Sequence, residues 1–219
     1  EQLRSGWGAL LKPLAWQGVL CYGPSRSSKV TFTNPASFLK NWNGLPDPVE
    51  AAPAVIKRYL SVYGPATPET FDAWLSRNSN KKSTLKGWFA SLGRQIVEVR
   101  VKDETRYLLA EHEDELAATR PSRATHLLGA FDQFVLGPGT KDTHMLASKY
   151  RSRVSKAAGW IAPVLTRGGR ITGVWEMDDG NLVVTPFPGE QAPPSKVLED
   201  AAARLAAVHG LVRVTPRVG

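Results

Sequence analysis

The sequence predicts an α+β fold on three observations. Apolar residues recur at helical spacing between Val55 and Leu92, they alternate at strand spacing from Ile96 to Leu109, and they gather into short β-like runs between Leu127 and Phe187 ahead of a last amphipathic stretch. The first two features together give three helices and then a hairpin, the order of a winged helix. The whole chain therefore reads as tandem winged-helix modules, followed by a small C-terminal antiparallel, barrel-like sheet region with a terminal helix.

Taken in order, Leu3, Trp7, Leu10, Leu11 and Leu14 form a helix face that runs into the strand Gly18-Val19-Leu20-Cys21-Tyr22. After Gly23-Pro24-Ser25-Arg26-Ser27-Ser28 a second strand follows at Lys29-Val30-Thr31-Phe32-Thr33. This is a helix plus wing without its earlier helices, in a chain that opens at Glu1 without methionine. The expectation is that residues 1–44 are the remnant of a first winged helix, N-terminally truncated from a longer polypeptide. Pro35 to Pro48 reads as a linker pinned by Phe38, Leu39 and Trp42.

Residues 45–120 hold a complete module. Val55, Ile56, Tyr59, Leu60 and Tyr63 stripe one helix, which stops at Gly64-Pro65. Thr67-Pro68 restarts a helix, the hydroxyl capping free amides and the proline standing where no hydrogen bond is lost. Phe71, Trp74 and Leu75 are its expected buried face. Asn78-Ser79-Asn80 is a turn, and Lys81-Lys82-Ser83-Thr84 leads into a third helix with Leu85, Trp88, Phe89 and Leu92 inside and Gly93 at its end. Ile96, Val97, Val99 and Val101, then Thr105, Tyr107 and Leu109, flank the charged turn Asp103-Glu104 as a hairpin.

Residues 121–219 are expected to form a β-rich, winged-helix-like domain. Leu127 to Leu136, Ile161 to Leu165, Ile171 to Met177 and Leu182 to Phe187 are strand-like, with Gly168-Gly169 and Asp178-Asp179-Gly180 as hairpin turns. A helix from Ser195 to His209 carries Val197, Leu198, Ala201, Leu205 and Val208 on one face, and a closing strand is expected over Leu211 to Val214.

In a winged helix the third helix enters a major groove while the hairpin reaches phosphates. Lys81, Lys82, Ser83, Thr84 and Lys86 would then face DNA. A second basic stretch, Lys149, Arg151, Arg153 and Lys156, is preceded by Lys141, followed by Arg167 and Arg170, and opposed only by Asp142. Both sets could equally be solvated surface, and winged helices also serve protein contacts.

The bulk of the chain agrees with a polyanionic partner. Its 219 residues are 42% hydrophobic, enough to fill cores, and its net charge is +8, with an isoelectric point near 9.7. Cys21 is alone, which excludes an internal disulfide and a thiolate zinc cage, fits a reducing cytosol, and suggests a small buried hydrophobe. No apolar run approaches the roughly 18 residues a bilayer span needs, and no signal segment opens the chain. A cytoplasmic, soluble protein with no membrane partner is expected. His112, His126, His144 and His209 are too scattered for a metal site. Nucleotide-binding and serine-hydrolase motifs are absent, so no cofactor is expected.

Two further readings concern chemistry. Asp132 in Phe131-Asp132-Gln133-Phe134 has apolar neighbours that could desolvate it into an acid or base, or it could cap a turn. If a catalytic domain lies upstream, Asp132 and Gln133 could line its cleft, where polar groups read a damaged base. Of the tryptophans Trp7, Trp16, Trp42, Trp74, Trp88, Trp160 and Trp175, at least five are expected in cores. Trp160, after Gly159 and near the basic stretch, is the exception.

Longer stretches carry a resemblance. They are Trp16-Gln17-Gly18-Val19-Leu20-Cys21-Tyr22-Gly23-Pro24, Arg58-Tyr59-Leu60-Ser61-Val62-Tyr63-Gly64-Pro65-Ala66-Thr67, Leu127-Leu128-Gly129-Ala130-Phe131-Asp132-Gln133-Phe134-Val135-Leu136-Gly137, Ala157-Ala158-Gly159-Trp160 and Gly169-Arg170-Ile171-Thr172-Gly173-Val174-Trp175. In this order they resemble the tandem winged-helix proteins typified by bacterial DNA glycosylases that unhook interstrand crosslinks. The resemblance implies modules wrapped around double-stranded DNA and excision of an alkylated purine by hydrolysis of the N-glycosidic bond. It also implies a catalytic motif of Gln, a hydrophobic residue and Gln. Gln2, Gln17, Gln95, Gln133 and Gln191 contain no such pair, so the motif either lies upstream of Glu1 or is lacking in this member. The expectation is a duplex-DNA-binding part of a repair glycosylase whose chemistry belongs to the longer protein, this chain alone being inactive. The competing readings are a winged-helix transcription regulator and a protein-interaction scaffold.

Overall fold

The computed structural model describes residues 11–219, so the expected helix positions Leu3, Trp7 and Leu10, together with Gln2, lie outside the described residues. Contacts divide the chain after Ala52 into two units. In the first, α1 (Leu11–Trp16) precedes a short ladder of β1 (Cys21–Tyr22) and β2 (Phe32–Thr33), with Tyr22 opposite Phe32 and their rings stacked at 5.3 Å. Gly18 turns the chain at φ 71°, and a Cβ there would press on Leu45 and Trp42. The Asn34 side chain accepts the Ala36 N–H at 2.8 Å and so caps α2 (Pro35–Phe38). Phe38 and Leu39 are exposed. The segment is held by this cap and by half-buried Trp42 rather than by all three expected side chains. Cys21 is half-buried, since strands of two residues give it little to bury against.

Helix α3 (Pro48–Tyr63) starts well before its apolar stripe, because Asp47 accepts the Val49 N–H at 2.8 Å and Pro48 suits a first turn. Pro53 inside it forgoes one hydrogen bond. At α4 (Pro68–Ser76) the cap is reciprocal: Thr70 N–H donates to Thr67 Oγ1 at 3.1 Å, and Thr67 N–H donates to Thr70 Oγ1 at 3.0 Å. α5 (Lys82–Ser91) follows, and then β3 (Ile96–Val101) pairs with β4 (Glu104–Leu109) around a Lys102-Asp103 turn, so Glu104 belongs to the strand. One core joins these elements: Ile56, Tyr59, Leu60, Phe71, Leu85, Phe89, Leu92 and Leu109. Each such side chain contributes about 1.5–3 kcal/mol by leaving water. Trp74 and Leu75 do not enter it as expected. A nine-residue helix turns only Phe71 and Asp72 fully inward, and Trp74, 40% exposed, covers the Tyr59 ring from outside.

After the exposed α6 (Glu113–Ala118), β5 (Thr125–Leu128), β6 (Val164–Arg167), β7 (Arg170–Asp178), β8 (Asn181–Pro186) and β9 (Thr215–Val218) form a sheet in that order. Pairing is antiparallel until β9, which joins β8 in parallel through the crossover helix α9 (Ser195–His209). The neighbours Val164 and Leu165 belong to different cores, as strand alternation requires. One core takes in α7 (Gln133–Leu136) and α8 (Arg151–Val154); the other takes in α9.

The structure departs from the sequence pattern at three places in this region. The run Leu127 to Leu136 is not one strand: β5 stops at Leu128, Phe131 takes φ 57°, and α7 begins. The closing strand lies at Thr215–Val218 rather than Leu211 to Val214, because α9 ends at Gly210 in a left-handed cap and the chain needs several residues to return to β8. Val208 on α9 is exposed, and Ala202 and Ala206 are buried with Leu198 and Ala201 instead.

The helical and sheet regions of the second unit meet at a tight joint. Tyr59 donates its hydroxyl to the Gly137 carbonyl at 3.2 Å, and Tyr63 donates to Gln133 Oε1 at 3.1 Å. Any Cβ on Gly137 would overlap the Tyr63 ring. Arg106 on β4 bonds Asp142 Oδ2 at 3.2 Å across the same joint.

Candidate nucleic-acid interface

The first cationic set depends on how α5 is presented. Buried Asp72 in the middle of α4 accepts Asn80 Nδ2 at 2.7 Å and the Asn80 N–H at 3.3 Å, and also bonds the Ser76 hydroxyl. Arg77 and Asn78 between them are left-handed, at φ 60° and 65°. This network fixes the turn ahead of Lys81, and sequence reasoning missed Asp72. The spacing Asp72, Ser76, Asn80 was the available signal. Lys81, Lys82, Ser83 and Lys86 are exposed and Thr84 is half-buried, with no acidic residue in the first turn of α5. Cations at a helix N-terminus oppose its dipole, so this end favours an incoming anion. Lys82 and Lys86 also line a groove of about 560 Å³ against the hairpin, shared with Glu69 and Glu98.

A larger cleft, about 760 Å³, opens between α4, the hairpin tip and residues 138–144; Arg77, Lys102, Lys141 and Arg151 reach it. Arg106 anchors its wall, bonding Glu104 Oε2 through Nε at 2.7 Å and Asp142 Oδ2 and the Pro65 carbonyl through Nη1 at 3.2 and 3.3 Å. Burial alone would lower the guanidinium pKa. The Glu104 and Asp142 hydrogen bonds and charges outweigh that and raise it. Asp142 was expected to oppose the basic stretch. It faces Arg106 instead, because Arg106 is the cation buried beside it.

The second set spans α8, the turns on either side of it and the first residue of β7. Lys149, Arg151, Arg153, Lys156 and Arg170 are all exposed. Lys149 Nζ rests 4.8 Å from the Tyr150 ring centre, and Tyr150 stacks on Phe187 at 4.3 Å. Arg167 donates to Gln191 Oε1 at 2.7 Å. Among the described residues none of Lys81, Lys82, Lys86, Lys149, Arg151, Arg153, Lys156 or Arg170 forms an ion pair.

The chemical candidates fall elsewhere. Asp132 caps α7, accepting the Phe134 N–H at 2.8 Å, and is half-buried beside two partly exposed phenylalanines rather than sealed among apolar neighbours. Gln133 is exposed and holds Tyr63. Neither lines the larger cleft. Among the described residues no three His, Cys, Asp or Glu side chains gather as metal ligands. Trp16, Trp74 and Trp160 are exposed, which overturns the expectation of at least five core tryptophans. A bulky indole on a short helix or turn finds only one covered side.

The pattern of the DNA glycosylase AlkZ-like family matches residues 2–208. A curated protein of Streptomyces sahachiroi, described as an interstrand DNA cross-link repair glycosylase, is 55% identical over 219 residues; the match covers 100% of this chain and 59% of the relative. The solved structure of Streptomyces sahachiroi DNA glycosylase AlkZ superposes with a TM-score of 0.92 at 54% identity, covering 99% of this chain and 59% of that one. The chain thus spans about three-fifths of the length of these relatives.

Proposed function

Because the chain belongs to the DNA glycosylase AlkZ-like family, we propose that it is the duplex-DNA-holding part of a glycosylase acting on alkylated or crosslinked purines. In this reading residues 45–120 are a winged helix whose α5 approaches a groove, residues 121–219 supply a second basic face, and residues 1–44 carry the helix and wing of an earlier module. Hydrolysis of the glycosidic bond belongs to the longer protein. The protein works in the cytoplasm, and no helix among the described residues is long and apolar enough to cross a membrane.

The observation that carries this reading is the exposed cations on α5 and on residues 149–170, free of ion pairs among the described residues. A cation already paired gains little from a phosphate, whereas an unpaired one releases condensed counterions when it binds. Each phosphate contact adds about −0.9 to the slope of log affinity against log salt. The test is fluorescence anisotropy of this chain on undamaged and alkylated duplexes across a salt series. Binding should weaken steeply with salt and show little sequence preference. The triple variant Lys149→Glu, Arg151→Glu, Arg153→Glu should flatten the slope by about 3. Salt-insensitive binding, no binding, or strong preference for one sequence would overturn the reading. Release of a free base by this chain would overturn the assignment of chemistry to the longer protein.

A further inference from the structure

Phe131 and Trp160 meet edge to face, ring centres 5.0 Å apart and planes at 84°, although they are 42% and 52% exposed. Phe134, three residues after Phe131, is also exposed. An edge-to-face pair, unlike a stacked one, leaves the ring that offers its edge with both faces uncovered by its partner. Two unfavourable backbone positions maintain the pair. Phe131 is left-handed at φ 57°, and Trp160 follows Ala158 and Gly159 at φ 55° and 77°. A left-handed residue other than glycine costs on the order of 1 kcal/mol, and rings this exposed return little of that through burial.

Lys156 N–H donates to the Trp160 carbonyl at 2.8 Å and Trp160 N–H to the Ala157 carbonyl at 3.2 Å, so one tight turn carries both an exposed cation and the indole. From Thr143 to Trp175 the sequence contains no Asp or Glu, while Lys149, Arg151, Arg153, Lys156, Arg167 and Arg170 fall inside it. An apolar protein surface would gain nothing from that charge. A polyanion that bears flat aromatic faces uses both features.

We propose that the Phe131–Trp160 pair is a stacking platform for a nucleobase displaced from the DNA helix. The proposal rests on the DNA reading above and deepens it: the basic face holds the backbone, and the platform holds a base that has left its stack. Such a base must be stabilised somewhere while an enzyme acts on it or on its neighbour.

The test compares a matched duplex with the same duplex carrying one bulged 2-aminopurine, using this chain and the variants Trp160→Ala, Trp160→Phe and Phe131→Leu. The parent should prefer the bulged duplex and change the probe's emission on binding. Trp160→Ala should weaken bulged-duplex binding about tenfold, within the range for loss of one base–aromatic stack, while matched-duplex affinity stays within twofold. Trp160→Phe should keep most of the preference, which a misfolded variant could not do. Equal losses on both duplexes, or no loss on either, would overturn the platform while leaving the DNA reading standing. If no form binds either duplex, both fall.

Discussion

Two of the aromatic clusters among the described residues have similar contact geometry and opposite setting. In the helical region Tyr59, Phe71, Phe89 and Tyr107 touch in succession, with ring centres 5.2 to 5.8 Å apart, and Tyr59 and Phe71 are sealed from water. In the sheet region Phe131 and Trp160 touch at 5.0 Å and remain open. Ring contact alone therefore does not distinguish a structural cluster from a binding one. Burial and backbone do: the first cluster sits on regular helices and strands, and the second on left-handed turns beside cations.

Substitution can break or sharpen that contrast. The largest effect is expected from Phe71→Ala, which should destabilise the chain by about 3–5 kcal/mol in urea unfolding, as for other large-to-small changes in a closed core. Asp142→Asn comes next, at about 1–3 kcal/mol, because Arg106 loses a charged partner at the joint but keeps Glu104. Trp160→Ala should lie within about 0.5 kcal/mol of the parent in the same assay. A loss approaching that of Phe71→Ala would place the exposed pair in the core and erase the contrast.

The smallest effect concerns alkaline pH. Burial raises the hydroxyl pKa of Tyr59, and burial with the Glu98 hydrogen bond raises that of Tyr107, both above the ordinary 10.0. Above pH 10 the unfolded chain then releases protons that the folded chain retains. Stability should be flat up to about that pH and fall as pH rises through the raised folded values. Urea midpoints measured across that range should fall less steeply in Tyr59→Phe. Equal slopes for variant and parent would show that Tyr59 does not carry the effect.

Local signals in the sequence were read where local chemistry decides the outcome. Thr67-Pro68 announced α4 because a hydroxyl and a proline suffice to start a helix, and the stripe from Val197 announced α9 with its observed ends. Position in the tertiary structure was not legible. Asp72 looked like any helix-surface carboxylate until folding brought Asn80 to it. The run from Leu127 to Leu136 is apolar at both ends, and the left-handed Phe131 and the Asp132 cap divide it. The basic residues of the candidate interface were all visible as a list. That Asp142 faces Arg106, leaving the stretch from Lys149 to Arg170 without its expected counter-charge, required the joint.

That joint changes how the two cationic sets would act together. For modules on a flexible tether, a second contact is governed by an effective concentration that falls roughly as the −3/2 power of tether length. Here Tyr59, Tyr63 and Arg106 clamp residues 133–142 directly, so the exposed segment from Thr119 to Ala124 does not act as the leash. Lengthening that segment with glycine and serine should leave avidity unchanged. The same insertion combined with Gly137→Ala, which wedges the clamp open, should make avidity depend on linker length.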